Sequence, residues 1–290
     1  MKYTIENDFL KVTVDSLGAE LHSVIRKKDG VEHMWQPQPD SWQRHAPVLF
    51  PYIGRLQDGC YRVKEKPYQA DIHGFCKDMD HTLIRHTENT VVLELCDSEQ
   101  TLALWPFRFR LESAFTLEGD TLHQTITVEN PGQEELSFSV GFHPGFAVPF
   151  DSSHQATDYY FGFDKNESPL CLSCDANGKC GETVAYLGAN IQTVPLQEHL
   201  FDNDSFNMTG LRSHTLGIYE KDSGRGVVCA IADFPYTAIW SRPGMPRFVC
   251  IEPWHTLPAG DIPDWEDKPA AAVLAPGEDW STTLSMSFVR

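Results

Sequence analysis

Apolar and polar residues alternate with a period of two along most of this 290-residue chain. Residues 9–15 show the pattern, because Leu10, Val12 and Val14 are separated by lysine and threonine. Such alternation is typical of a β-strand that buries one of its faces. Similar segments recur along the chain, and turn signals such as Asp29-Gly30 separate them. The sequence therefore predicts roughly a dozen or more antiparallel strands, in a sandwich or a barrel.

Two hairpins, one return strand and one short helix are the most specific local predictions. The hairpins are Arg108–Leu117 with Thr121–Glu129, and Thr215–Glu220 with Gly226–Ala232. We expect His33–Trp35 to be a return strand, and Asp97 to cap a helix that runs through Ala103. Residues 151–210 are polar and less regular. Residues 36–57 are irregular and rich in proline and aromatics, which is typical of a functional loop.

Composition and charge limit the classes of protein to consider. Hydrophobic residues are 41% and aromatics 11% of the chain, enough for a sizeable core, and no repeat or linker divides it. We expect one domain over residues 1–290. The 23 basic and 41 acidic residues give a net charge of −18, which argues against nucleic acid and anionic membranes as partners. A neutral sugar remains compatible with that charge.

The sequence also predicts a cytoplasmic protein. It has no apolar run of about 18 residues that would form a transmembrane helix. Its first residues lack the apolar core of a signal peptide. In this setting the eight cysteines are expected to be reduced thiols.

Four clusters could carry chemistry, and each places polar groups among aromatics with a glycine or proline at a predicted strand end. They are Phe50–Arg55, Ile72–Phe75, Gly141–Phe146 and Phe248–His255. A histidine can donate or accept a proton near neutral pH, and burial beside an indole raises the pKa of a carboxyl group. Together such groups make a general acid and a general base, without a metal or a cofactor.

Each cluster also has a structural interpretation. Any single histidine could be a surface or core residue, Arg55 could form a structural salt bridge, and Glu252 could cap a turn. The spacing Cys171-x2-Cys174-x5-Cys180 leaves open a zinc site, with His154 or Asp175 as a fourth ligand, although reduced thiols are favoured. No G-x-G-x-x-G, Walker A or G-x-S-x-G motif supports nucleotide binding or α/β-hydrolase chemistry.

Taken in this order, the four clusters resemble the aldose 1-epimerase (galactose mutarotase-like) family, and in particular its bacterial branch. The phrases Ala238–Gly244 and Leu274–Glu278 add to the match, so the resemblance covers nearly the whole chain. It implies an all-β fold, an antiparallel β-supersandwich with few short helices and a sugar cleft on one face. It also implies an isomerase that interconverts the α and β anomers of a free hexose or related aldose.

The resemblance assigns residues to the expected reaction. Glu252 matches the general base that takes the anomeric proton, and His143 matches the general acid that protonates the ring oxygen. The resemblance further implies four residues that bind the sugar, namely Arg55, His73, Asp204 and Trp254, the last as a stacking wall. We expect both catalytic groups to line one open cleft, with the Glu252 carboxyl across a sugar-sized gap from the His143 imidazole.

The expected partner is a small-molecule sugar, and no cofactor, metal, nucleic acid or membrane is expected to bind. We expect the chain to be a monomer or a homodimer. Two alternatives remain open. One is a non-catalytic sugar-binding or sugar-sensing protein on the same fold. The other is a mutarotase for phosphorylated hexoses, because Arg55, Lys77 and Arg242 could form a local basic patch.

Overall fold

Antiparallel strands dominate the computed structural model, which describes residues 1–290. In chain order the strands are β1 (Lys2–Glu6), β2 (Leu10–Asp15), β3 (Glu20–Arg26), β4 (Val31–Glu32), β5 (Val48–Leu49), β6 (Cys60–Val63), β7 (Lys66–Gln69), β8 (Thr82–His86), β9 (Thr90–Cys96), β10 (Arg110–Glu118), β11 (Thr121–Glu129), β12 (Leu136–Phe138), β13 (Gly141–Phe142), β14 (Gly145–Ala147), β15 (Tyr159–Glu167), β16 (Leu170–Cys174), β17 (Cys180–Ala185), β18 (Ile191–Pro195), β19 (Phe206–Thr209), β20 (Thr215–Glu220), β21 (Gly226–Ala230), β22 (Tyr236–Trp240), β23 (Phe248–Trp254), β24 (Ala272–Leu274) and β25 (Asp279–Val289).

Helical structure is confined to short pieces. The α-helix α1 covers Glu99–Leu104, and 3₁₀ turns cover Gln57–Gly59, Cys76–Asp78, Ala156–Asp158 and Trp265–Asp267. No helix is long and apolar enough to cross a lipid bilayer.

Two large sheets organise the chain. One has nine strands in the order β18-β15-β20-β21-β25-β11-β10-β9-β8, and the other has the order β17-β16-β19-β22-β23-β13-β5, with β14 also paired to β23. The largest hydrophobic cluster contains 59 buried residues and takes side chains from both sheets, including Ile126 and Leu284 from the first and Val249 and Ile251 from the second. This arrangement confirms the predicted all-β sandwich.

Both predicted hairpins are present, because β10 pairs with β11 and β20 pairs with β21. The predicted cap of the short helix is wrong by one residue. Ser98, not Asp97, is the N-cap, and it forms a capping box with Thr101. The Asp97 carboxylate instead accepts a hydrogen bond from the Phe109 backbone N–H at 3.3 Å.

The predicted return strand at residues 33–35 is also wrong. The strand that pairs with β3 is β4, and Met34 forms only an isolated bridge to Phe146. The polar region 151–210 contains five strands, β15 to β19, where the sequence showed little regularity. Strand β17 is an edge strand with mostly exposed side chains, so it lacks the alternation that identifies a half-buried strand.

Candidate active site

The register of three strands brings the predicted acid and base together. Gly141 pairs with Trp254 and Gly145 pairs with Cys250, so His143, midway between the two glycines, lies opposite Glu252 on β23. Side chains on a strand alternate between faces. Accordingly Val249 and Ile251 belong to the main core, whereas Cys250, Glu252 and Trp254 project from the opposite face.

Glu252 and His143 contact each other directly. Glu252 Oε2 lies 3.2 Å from His143 Nε2, and the two side chains are 2% and 8% exposed. The prediction of a sugar-sized gap between them is therefore wrong. Its physical reason is the register, because residues directly opposite in an antiparallel pair have side chains within about 5 Å of each other.

Burial moves both of these groups towards their neutral forms. Desolvation raises the pKa of Glu252 well above its usual range, and the nearby charge of Asp204 raises it further. Desolvation lowers the pKa of His143 to about 3. Together these shifts favour a resting pair in which Glu252 holds the proton and neither group is charged.

His73 lies in a loop locked to the segment that contains Gly54. The Gly54 backbone N–H donates to His73 Nδ1 at 3.0 Å, and the His73 N–H donates to the Gly54 carbonyl at 2.9 Å. Because Nδ1 accepts a hydrogen bond, the ring proton of the neutral imidazole is on Nε2. Burial, then the neighbouring His143 and two cations, keep the pKa of His73 well below its ordinary value. His73 is thus a neutral donor beside the acid/base pair, with its ring 5.5 Å from that of His143.

The backbone of Arg55 is held between two glycines. A Cβ atom on Gly178 would lie 2.1 Å from the Arg55 carbonyl oxygen, and one on Gly260 would lie 2.5 Å from it. Gly178 also requires its φ of +78°, which favours glycine. The side chain of Arg55 is exposed at the cleft and forms no salt bridge. It is therefore free to bind a ligand.

Only one of the two neighbouring aspartates reaches the cleft. Asp204 lines it, with a φ of 71°. Asp202 turns away, because its carboxylate contacts His199 Nδ1 at 2.7 Å. This placement agrees with the choice of Asp204 as the sugar-binding aspartate, a role that stays a prediction.

Trp254 contributes less surface to the cleft than expected of a stacking wall. It lines the cleft but is only 4% exposed, because its indole packs with Leu49, Ile53 and Ala238. Trp42 and Trp240 are more exposed there and were not identified from the sequence. The irregular, aromatic segment 36–57 was the only signal that could have pointed to Trp42.

All six predicted site residues, Arg55, His73, His143, Asp204, Glu252 and Trp254, line one cleft of about 390 Å³. Residues that the sequence analysis did not assign to the site also line it, among them Trp42, Arg44, Asp71, Asn207 and Trp240. The volume lies within the usual range for small-molecule sites. The cleft combines neutral donors, charged groups and aromatic rings, a suitable lining for a polar ring with one apolar face.

The cysteine-rich loop differs from the expectation of reduced thiols. Cys174 and Cys180 form a disulfide at the tip of the β16–β17 hairpin. Cys171 is buried on its own, and Asp175 already accepts backbone hydrogen bonds from Asn177 and Lys179. The alternative of a three-thiolate zinc site therefore lacks its ligands.

Three other groups bring possible metal donors within 4.8 Å of one another: Glu20-His22-His45, His143-Cys250-Glu252 and Asp151-His154-Glu220. Each has features that oppose a metal. Glu20 Oε1 accepts two backbone N–H groups. Burial raises the pKa of the Cys250 thiol well above its ordinary value, which disfavours the thiolate. In the third group, Arg225 forms ion pairs with both carboxylates.

Comparison with known proteins agrees with this geometry. The profile of the aldose 1-epimerase family matches residues 1–287. The chain belongs to the aldose 1-epimerase family. A galactose mutarotase related enzyme from Lactobacillus acidophilus superposes with a TM-score of 0.92 and 31% identity, covering 100% of this chain and 98% of that one.

Two further relatives extend this picture of the aldose 1-epimerase family. A galactose mutarotase-like protein from Lactobacillus casei has a TM-score of 0.88 and 28% identity, and the match covers 100% of both chains. The plasmid form of protein LacX from Lactococcus lactis subsp. lactis is 29% identical over 289 residues, which are 95% of each chain. Family and fold together support an epimerase or mutarotase role for this chain.

Proposed function

We propose that this protein is a cofactor-independent mutarotase for a free hexose or a related aldose. The observation that carries the proposal is the buried contact between Glu252 and His143 in a cleft lined by further sugar-binding groups. An acid and a base that share one proton fit a reaction that moves one proton between two sugar oxygens. Family membership supports the same reaction class.

In the proposed reaction the proton that Glu252 holds in the resting pair first passes to His143, which leaves a carboxylate and an imidazolium. Glu252 then takes the proton of the anomeric hydroxyl while His143 donates its proton to the ring oxygen. The bond between C1 and the ring oxygen breaks, which gives the open-chain aldehyde. After rotation about C1–C2, His143 takes the proton of the attacking hydroxyl and Glu252 protonates the former carbonyl oxygen. The ring closes as the other anomer, and both side chains return to their starting protonation states.

The remaining cleft residues would bind and orient the sugar. His73 would donate Nε2–H to a sugar oxygen, and Arg55 and Asp204 would bind hydroxyl groups. The ring of Trp240 at the cleft would pack on the apolar face of the sugar ring. Trp254 would do so only through its small exposed part.

Polarimetry on freshly dissolved α-glucose and α-galactose tests the proposal. Wild-type protein should accelerate the approach to anomeric equilibrium, and Glu252→Gln and His143→Asn should each lose about 10²–10⁴-fold in rate. Equal acceleration by the wild type and both variants would refute the assigned roles. No acceleration with any sugar of a broader panel, together with binding by calorimetry, would favour the alternative of a non-catalytic sugar-binding or sugar-sensing protein.

A mutarotase for phosphorylated hexoses is the second candidate. Arg55 and Arg242 line the cleft and have no salt-bridge partner, so an anionic group on the sugar would find two free cations. NMR exchange spectroscopy with glucose and glucose 6-phosphate in parallel distinguishes the two. A much higher kcat/KM for glucose 6-phosphate than for glucose would select this candidate. Arg242→Ala should then lower kcat/KM for glucose 6-phosphate and leave kcat/KM for glucose unchanged.

We also infer a cytoplasmic location, one domain over residues 1–290, and a monomer or homodimer whose partner is the sugar alone. Six cysteines are unpaired, which supports a reducing compartment, although the disulfide at Cys174 and Cys180 is unusual there. Cell fractionation and sedimentation test the location and the oligomeric state.

A further inference from the structure

Trp42 stacks on the imidazole of His143. The ring centroids lie 4.9 Å apart, and the planes differ by 26°. Trp42 lies in the loop between β4 and β5, so the sheet register that fixes Glu252 opposite His143 does not place it. Its position must come from its own contacts.

Those contacts fix both the indole and the backbone of Trp42. Gly145 leaves room for the indole because it has no side chain, and a Cβ atom there would lie 2.6 Å from Cζ3 of Trp42. The Trp42 carbonyl accepts a hydrogen bond from Nε1 of Trp35 at 2.9 Å. The indole also packs against Trp240 at 5.7 Å and Phe248 at 5.3 Å between centroids. The ring is therefore fixed in place before a sugar arrives.

The surroundings of His143 otherwise provide little support for a positive charge. Glu252 on β23 contacts its Nε2, Cys250 lies on the same strand, and His73 approaches its edge from the loop after β7. The ring of Trp240 on β22 is nearly perpendicular to that of His143, at 5.6 Å between centroids. More distant charged groups that line the cleft are Arg44, Arg55, Asp71, Lys77, Asp204 and Arg242. Apart from the Glu252 carboxyl, the face of Trp42 is the contact best suited to a cation.

We propose that Trp42 is a positioning residue for His143: its indole holds the imidazole against Glu252 and stabilises the positive charge that His143 carries as general acid. The inference rests on the proposed mutarotase function. The negative face of an indole attracts a cation within about 6 Å, more strongly when the pair is desolvated. Burial lowers the pKa of His143 to about 3, so an opposing attraction is needed where that group acts as an acid.

Substitution and fluorination of Trp42 test this role. Trp42→Leu should lower kcat about tenfold with a KM changed by less than about twofold, and Trp42→Phe should fall between it and the wild type. The acid limb of the kcat profile follows His143, because its pKa lies below that of Glu252, and this limb should move to lower pH by about one unit in Trp42→Leu. Incorporation of mono-, di- and trifluorotryptophan weakens the ring face without changing its shape, so log kcat should fall with each added fluorine.

Two controls isolate the effect. The same fluorinated series in Trp42→Phe reports the contribution of the other six tryptophans. Trp280→Leu removes an indole that contacts a different histidine, His255, at 4.9 Å and outside the cleft, so its kinetics should match the wild type. The proposal would be overturned if log kcat fell equally steeply with fluorination in the wild type and in Trp42→Phe. It would also be overturned if Trp42→Leu had the kcat and the pH profile of the wild type.

The outcome also separates this inference from the proposed function. Wild-type protein without anomer exchange on any sugar refutes the proposed function. Normal exchange that survives in Trp42→Leu refutes only the role of Trp42. NMR of ring-labelled histidine needs no turnover: the upfield ring-current shift of His143 should be lost in Trp42→Leu and kept in Trp280→Leu. Retention of that shift in Trp42→Leu would contradict the stacked position.

Discussion

Replacing Glu252 with glutamine should make the protein slower and, at neutral pH, more stable. Glutamine keeps the shape of the side chain and its contact with His143 Nε2, but it cannot ionise. In the wild type the carboxyl is 2% exposed, and its only salt-bridge partner within 4.0 Å is the imidazole of His143. Burial and the charge of Asp204 raise its pKa well above 4.5, the ordinary value for glutamate. The carboxyl group of Glu252 therefore ionises more easily in the unfolded chain than in the folded protein.

The sign and size of the stability effect follow from that raised pKa. The folded state binds the proton more tightly, so the free energy of unfolding of the wild type falls as the pH rises above about 4.5 and stops falling above the folded pKa. Between pH 4.5 and pH 7 the loss cannot exceed about 3.5 kcal/mol, at about 1.4 kcal/mol per pKa unit. For 290 residues that corresponds to an increase in Tm of at most about 6 °C in Glu252→Gln at pH 7.

Thermal unfolding followed by circular dichroism at several pH values between 4.5 and 8 measures this effect. The difference in Tm between Glu252→Gln and wild type should be near zero at pH 4.5 and should grow towards pH 7. Glu88→Gln is a matched control, because Glu88 is exposed and its side chain makes no hydrogen bond or salt bridge. A variant that is less stable than the wild type at pH 7, or a difference in Tm that does not depend on pH, would refute the reasoning.

Three further predictions concern the neighbours of this pair. Asp204→Asn removes a like charge, so it should lower the pKa of Glu252. Because Glu252 has the higher pKa of the pair, the basic limb of the rate profile should move to lower pH, and an unmoved limb would count against the coupling. Reduction of the Cys174–Cys180 disulfide should destabilise the β16–β17 hairpin by about 2 kcal/mol, from the sequence separation of 6. Hydrogen exchange in β17 with and without dithiothreitol measures it. Gly74→Ala should displace the His73 loop and raise KM, because a Cβ there would lie 2.1 Å from a backbone oxygen and φ is +73°. A crystal structure and the KM of the variant check this. An unmoved His73 loop together with an unchanged KM would contradict it.

Local pattern was enough for the fold class and for the hairpins. Residues of β10 and β11 alternate cleanly between buried and half-buried, so period-two reasoning found them. It failed where strands are exposed, as in β17, or where two polar residues compete for one role, as Asp97 and Ser98 do at the helix cap. In both cases the deciding contact lies in the tertiary structure or in a neighbouring side chain.

The candidate site shows a similar division. The six residues assigned from the family resemblance all line one cleft, but the resemblance could not give the distances between their side chains. The contact of Glu252 with His143 depends on the pairing of strands more than 100 residues apart in the chain, which no local pattern encodes. Trp42 comes from a segment without periodicity, and its importance appears only when Gly145 and His143 are seen beside it.

The contact between acid and base changes how the proposed reaction should be understood. Burial raises the pKa of Glu252 and lowers that of His143, so in the resting pair Glu252 holds the proton and neither group is charged. Each half-reaction moves one proton onto the sugar and one off it, so the pair needs no proton from water between ring opening and closure. A sugar whose two reacting oxygens lie between the side chains must first break their 3.2 Å contact, and its binding energy must cover that cost. We therefore expect a sugar-bound structure to show the two groups apart, each on a different sugar oxygen. A bound sugar with the pair still in contact would contradict this mechanism.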